Sequence, residues 1–381
     1  MVYIQDSLSW SIQDSLSWSL GFAISTTLVL LPLLFFLGTP LYVHVAPKGS
    51  IFSGILQVFV AAFRNHRLPP PPPPPPAAFH NPISHNHHAI TPVPPTPSFL
   101  FLSKAAIPPP SGAYPPSPWR LCTLQQVEEV KCLIRIIPIW TSGIICFVAL
   151  GQQWTFSVLQ SMKMNRHLGP QFMIPPGSVG TIAMLGLALF IPVYDMVVVP
   201  VTQRITKLDG GITLLQRQGV GLLISIFSMV VAAAVEKKRR DESSEGVAIS
   251  VMWLAPQLLV MGVAEAFNAV GQIEFYNRQF PEHMQTLAGA LFFCSLAGSS
   301  YLSSLLMAVV KKMTGGEGRR NWLEDDIDEG RVDYFYYFIA IIGVVNFIYF
   351  LICASFYRYK RMGEVREERG EGDFEVCKVE S

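Results

Sequence analysis

The sequence predicts an all-α membrane protein of about seven transmembrane helices, and three observations carry that prediction. Half of the 381 residues are hydrophobic, only 14% are charged, and the mean hydropathy is +0.37, whereas a soluble domain carries about 25% charge. Seven apolar stretches of bilayer length follow one another at 20–43, 136–160, 179–201, 213–235, 249–273, 287–310 and 334–357. Inside lipid each isolated span must satisfy its own backbone, which makes every one a helix. The lipid bilayer is the first partner the sequence implies.

The chain divides into a lead-in at 1–19, a first span at 20–43, a linker at 44–132, a six-span region at 133–360 and a charged tail at 361–381. The lead-in holds the octapeptide IQDSLSWS twice, at 4–11 and 12–19, too short to be a structural repeat and read as a small duplication. No basic region precedes the first span, which is expected to stay in the membrane as an anchor.

The linker contains eight consecutive prolines, from Pro69 to Pro76, followed by HNPISHNHH. Proline removes the amide donor and fixes polyproline II geometry, so this part predicts a solvated, semi-rigid spacer. The run from Pro69 to Pro76 also has the form of a ligand for an SH3-like or WW-like partner domain. His80, His85, His87 and His88 have no cysteine or carboxylate among them and no fixed spacing, so no metal is expected. After the linker, PWRLCTLQQVEEVKCLIRIIPIW predicts an interfacial helix leading into the second span, in which Glu128, Glu129, Lys131 and Arg135 stand at pairing distance.

Several functions are disfavoured by what the sequence contains. The net charge is +1 and the basic residues are scattered over loops, a pattern that argues against a nucleic-acid partner. Six cysteines lie within or beside spans and are expected to be free thiols on the cytosolic side or in the bilayer. No GxSxG, HExxH, paired CxxC or phosphate-loop pattern occurs, so an enzyme is not expected. Lysine and arginine in the linker, the 202–214 loop and the tail favour a cytosolic C-terminus. In that orientation KKRR at 237–240 falls outside.

Three places inside spans carry polar side chains that lipid would not tolerate without a reason. Glu265 is the single charge in VMWLAPQLLVMGVAEAFNAVG, and an acid at mid-membrane costs about 2.5–3.5 kcal/mol. It is the leading candidate for a cargo contact. Gln152 and Gln153 lead a polar stripe in the second span and either tie helices together or line a cavity. Tyr194 and Asp195 sit in IPVYDMVVVP, where Asp195 is expected to latch neighbouring helices through Arg204 or Arg217.

The strings PWRLCTLQQVEEVKCLIRIIPIW, IPPGSVG, PVYD, GGITLLQRQGVGL, GVAEAFNAVGQIEFYNRQFPEHM, GSSYLSSLL and NWLEDDIDEGRVDYFYYFIA resemble the plant nitrate and peptide transporter family, also called the proton-coupled oligopeptide transporter family. The likeness runs from Val2 to Lys360 and skips only the Pro/His-rich insert; it is nearest the nitrate and glucosinolate carrier branch. It implies a major-facilitator-like fold, with two six-helix bundles rocking about a central site. The first span then corresponds to the last helix of the N-terminal bundle, and the remaining six form the C-terminal bundle.

On this resemblance Glu265 is the cavity glutamate of the family's tenth helix, with Gln152 and Gln153 as further substrate-binding candidates. Tyr194, Asp195, Arg217 and Gln272 are gating or structural candidates. Met196 stands where the family usually has arginine, and no cavity histidine is present in the second span. The resemblance implies no cofactor other than a proton gradient, and the family's proton-coupling ExxER motif is missing, so the chain is expected to be N-terminally truncated. The expected function is transport of nitrate or a small organic solute, such as a peptide or a glucosinolate-like compound, across the plasma or vacuolar membrane of a plant cell. The alternative is a non-transporting truncated membrane protein that regulates a full-length carrier, or an incomplete gene model.

Overall fold

A computed structural model describes residues 14–36, 50–67, 96, 99–108, 117–169, 172–207, 211–280, 284–316 and 321–357. Among these residues there is no strand ladder, only isolated pairings of Asn165 with Ser250 and of His167 with Met173. Helix α1 covers Asp14–Phe36 and α2 covers Ile51–Arg64. Six helices long and apolar enough to cross a membrane follow: α3 at Leu124–Met162, α4 at Pro176–Thr206, α5 at Leu214–Ser244, α6 at Val251–Gln279, α7 at Gln285–Thr314 and α8 at Val332–Phe356. Each of the last six expected spans lies on one of them. The part of the first expected span beyond Phe36, the polyproline run, the linker histidines and the tail lie outside the described residues.

Local sequence sets the helix starts. Thr123 with Gln126 opens α3 and Thr213 with Gln216 opens α5, each a reciprocal capping box that satisfies two otherwise orphaned amides. At 39 residues α3 is roughly 58 Å long, about twice a bilayer core, so its first turns project beyond the lipid. The interfacial helix expected at 124–131 is therefore not a separate element but the start of α3.

Packing divides the six spans into two kinds. The apolar stretches of α3, α5 and α6 are 50%, 50% and 56% buried, against 17%, 17% and 22% for α4, α7 and α8, which puts the first three at the centre. Helix α8 packs on α5 and α3, α7 on α3, and α4 on α6. At the closest of these approaches Gly262 of α6 meets the Ala183 carbonyl of α4, where a Cβ would strike backbone. Only glycine allows that contact.

Two features of the linker and loops differ from expectation. The linker is not wholly a solvated spacer, since α2 and a short helix at Leu100–Ser103 pack Val58, Ala61 and Leu102 against Val127 and Val130 of α3. A small-residue face at helical spacing makes that possible. KKRR at 237–240 is not a loop but the continuation of α5, and Arg239 is only 2% exposed. Its charge is tolerated because Glu236 binds it through both carboxylate oxygens at 2.8 Å.

Candidate functional site

Glu265 is the last residue of the α-helical part of α6, and a π-helical turn, Ala266–Val270, follows it directly. A second π turn, Tyr194–Val198, interrupts α4 between Pro192 and Pro200. Each proline removes an amide donor from the helical ladder, and a widened turn accommodates the break. The two π turns face each other. Phe267 meets the Tyr194 ring edge-on at 5.4 Å and the Phe190 ring at 5.2 Å.

The Glu265 side chain is half-buried, and its Oε2 is enclosed with no hydrogen-bond partner. It forms no ion pair among the described residues. An acid in a span that neither a lysine, an arginine nor a backbone amide satisfies is poised to take a proton or a cationic group.

One turn of chemistry further along, a latch joins three helices. The Arg217 guanidinium of α5 lies 4.5 Å over the Tyr194 ring of α4, and its Nη1 donates to Glu274 Oε2 of α6 at 2.9 Å. Arg278 holds the other Glu274 oxygen at 2.6 Å. Gln218 reinforces the α5–α6 contact by donating to the Gly271 carbonyl at 3.3 Å. Gln272, seven residues after Glu265, accepts from the Tyr276 hydroxyl at 3.4 Å, and its amide rests on Gly143 of α3.

The structure corrects the expected role of Asp195. Its side chain is exposed on the outer face of α4 and makes no ion pair with Arg204 or Arg217 among the described residues. Tyr194 is buried and Asp195 exposed, and Arg217 is taken by Tyr194 and Glu274 instead. Sequence reasoning did not single out Glu274 as a latch residue, although its place nine residues after Glu265 on the same helix was visible.

Gln152 and Gln153 lie elsewhere. Gln153 exchanges hydrogen bonds with Ser228 of α5, donating to its carbonyl at 3.2 Å and accepting from its hydroxyl at 2.9 Å. Ser228 also donates to the Gln257 carbonyl of α6 at 3.3 Å. Gln257 precedes Glu265 by eight residues, a rise of roughly 12 Å, so the structure does not bring the two glutamines onto Glu265. Gln152 donates weakly to the Ser303 carbonyl of α7 at 3.5 Å, and its own oxygen is buried without a partner. Both amides sit between helices.

A further polar chain, missed in the sequence, continues from there toward the opposite end of the bundle. Gln257 donates to Gln160, Gln160 donates to Glu236 at 2.8 Å, and Glu236 holds Arg239, which reaches Asp328 in the α7–α8 loop. Three helices and a loop must converge before these charges are satisfied, so no local pattern announces them.

Similarity to known proteins agrees with this architecture. The model of the POT family, PTR2, matches residues 3–323. Protein NRT1/ PTR FAMILY 2.13 of Arabidopsis thaliana is 47% identical over 100% of this chain and 62% of its own length. Protein NRT1/ PTR FAMILY 2.12 of the same plant is 43% identical over 96% of this chain and 63% of its own length. The chain thus spans a little over three-fifths of the curated relatives it matches. The crystal structure of the POT family transporter PepTSo superposes with a TM-score of 0.52 at 17% identity, covering 84% of this chain and 61% of that one, which is a likeness of fold. By sequence, by its six membrane-length helices and by that fold, the chain belongs to the POT family of multi-pass membrane transporters.

Proposed function

We propose that the chain supplies one side of the central binding site of a proton-coupled carrier for nitrate or a small organic solute, with Glu265 as the carboxylate facing the cargo. The observation that carries this reading is the enclosed, partnerless Oε2 of Glu265 beside a π turn. An amino-bearing solute would satisfy that oxygen directly. An anion such as nitrate would require the carboxylate to be neutralised by a proton first, which couples cargo to proton without a second acidic site. The Tyr194–Arg217–Glu274 latch is the element that opens and closes access, and the carrier works in the plasma or vacuolar membrane of a plant cell.

Uptake of labelled nitrate, dipeptide and glucosinolate into oocytes tests the reading. The chain is expressed alone and together with the first five helices of a relative, each with and without Glu265→Gln. Uptake that needs the added helices and falls at least tenfold in Glu265→Gln supports the proposal. Unchanged uptake in that variant refutes the role of Glu265. A chain that moves nothing in either setting but alters the flux of a full-length relative favours the regulatory alternative, which the 62% coverage of that relative makes worth testing.

A further inference from the structure

Helix α2 is 14 residues long, about 21 Å, too short to cross a bilayer. Phe52, Leu56, Phe59 and Phe63 stand on it at i, i+4, i+7 and i+11 and are 73%, 54%, 42% and 72% exposed, one continuous apolar stripe on which the only ring stacking among the described residues is that of His66 on Phe63. The opposite face is the small-residue one, Val58, Ala61 and Ala62, buried on α3. The helix is therefore held by one side and open on the other.

Charge tells what fits the open side. From residue 15 to 127 the sequence has no Asp or Glu, yet it has five Lys or Arg, at Lys48, Arg64, Arg67, Lys104 and Arg120, and six His. The fold gathers four of these five cations. The Asn65 amide, just after α2, donates to the Lys104 carbonyl at 3.1 Å and to the Arg120 carbonyl at 3.2 Å, and Lys104 Nζ donates to the His66 carbonyl at 2.7 Å. Arg64, Arg67 and Arg120 are exposed and make no ion pair with a carboxylate among the described residues. Glu128, at the start of α3, is buried and bound by Lys131 at 2.8 Å and by the Thr96 hydroxyl at 2.6 Å.

From the apolar stripe ending in a cluster of cations we infer that α2 lies in the membrane interface and binds anionic lipid headgroups of the cytosolic leaflet. The phenylalanines enter the acyl boundary while Arg64, Arg67 and Arg120 contact phosphate and carboxylate groups above it. Because α2 is fastened to the start of α3, headgroup binding fixes the angle at which α3 enters the membrane.

Hydrogen exchange of the full chain in nanodiscs tests this. Amides 51–64 should exchange at least about tenfold more slowly in phosphatidylcholine with phosphatidylserine than in phosphatidylcholine alone, the response of several surface cations to an anionic leaflet. High salt and the variant R64E/R67E/R120E should each abolish the difference. Phe52→Ser with Phe63→Ser should speed exchange in both lipids, while α5 and α6 exchange as before in every case. Equal protection in the two lipids, or a difference that survives salt and charge reversal, would overturn the inference and indicate that another protein surface or lipid tails alone cover the stripe.

Discussion

The two ends of the bundle are built from opposite materials. At one end Glu236 and Arg239 are 0% and 2% exposed, joined through both carboxylate oxygens, and tied onward to Gln160 and Asp328. Arg240 and Arg331 both bind Asp333 there, and Lys163 binds Asp326 and Asp328. Toward the other end the contacts are two π turns, stacked rings and the Arg217–Glu274 pair, whose side chains are 15% and 30% exposed. The first end is a clamp and the second is a set of exchangeable contacts.

The largest expected effect comes from breaking the clamp. Glu236→Ala leaves the Arg239 charge buried with its main partner gone, and should cost about 3–5 kcal/mol. A drop of thermal stability in detergent, read by fluorescence, checks it. Replacing Glu236 and Arg239 together by Gln and Met should recover most of that loss, because no charge is then left alone. If the double variant is as unstable as the single one, the clamp is not electrostatic.

Arg217→Ala should cost less, about 1 kcal/mol, since the pair it breaks is partly solvated and the ring contact is modest. Its effect should be local, faster exchange of amides around the two π turns with the clamp unmoved. A stability loss equal to that of Glu236→Ala would erase the distinction between the ends.

The smallest effect concerns pH. Asp326 is held below the usual carboxylate range, first by its hydrogen bond from Lys163, and Lys163 is raised by the same bond. A lowered folded value means that Asp326 stabilises the fold above its ordinary pKa and loses that contribution as pH falls through the lowered one. Lys163 contributes below the ordinary lysine value and loses it as pH rises through the raised one. The pair is solvent-exposed, so the acid-side slope of stability should be shallow, and Asp326→Asn should flatten it in a thermal scan across pH.

What the sequence disclosed follows from how local each signal is. The spans were visible because bilayer length and apolarity belong to single segments. Glu265 stood out as a lone charge. The clamp was hidden because EKKRRD reads locally as a solvated run, and only the convergence of α3, α5 and the α7–α8 loop buries it. Asp195 and Tyr194 were adjacent letters, and which of them faces the bundle is decided by how α4 packs on its neighbours. Helix α2 was obscured by the prolines that follow it.

Glu265 differs in kind from Glu236, the buried acid of the clamp. One carboxylate has an enclosed oxygen, Oε2, without a partner, and the other is bound through both oxygens. Hydrophobic carbodiimides enter membranes and attack carboxyl groups that carry a proton. Treatment of the chain in lipid with dicyclohexylcarbodiimide at neutral pH, followed by peptide mass spectrometry, should find Glu265 modified and Glu236 untouched. Modification of Glu236 with Glu265 spared, or of neither, would contradict the account.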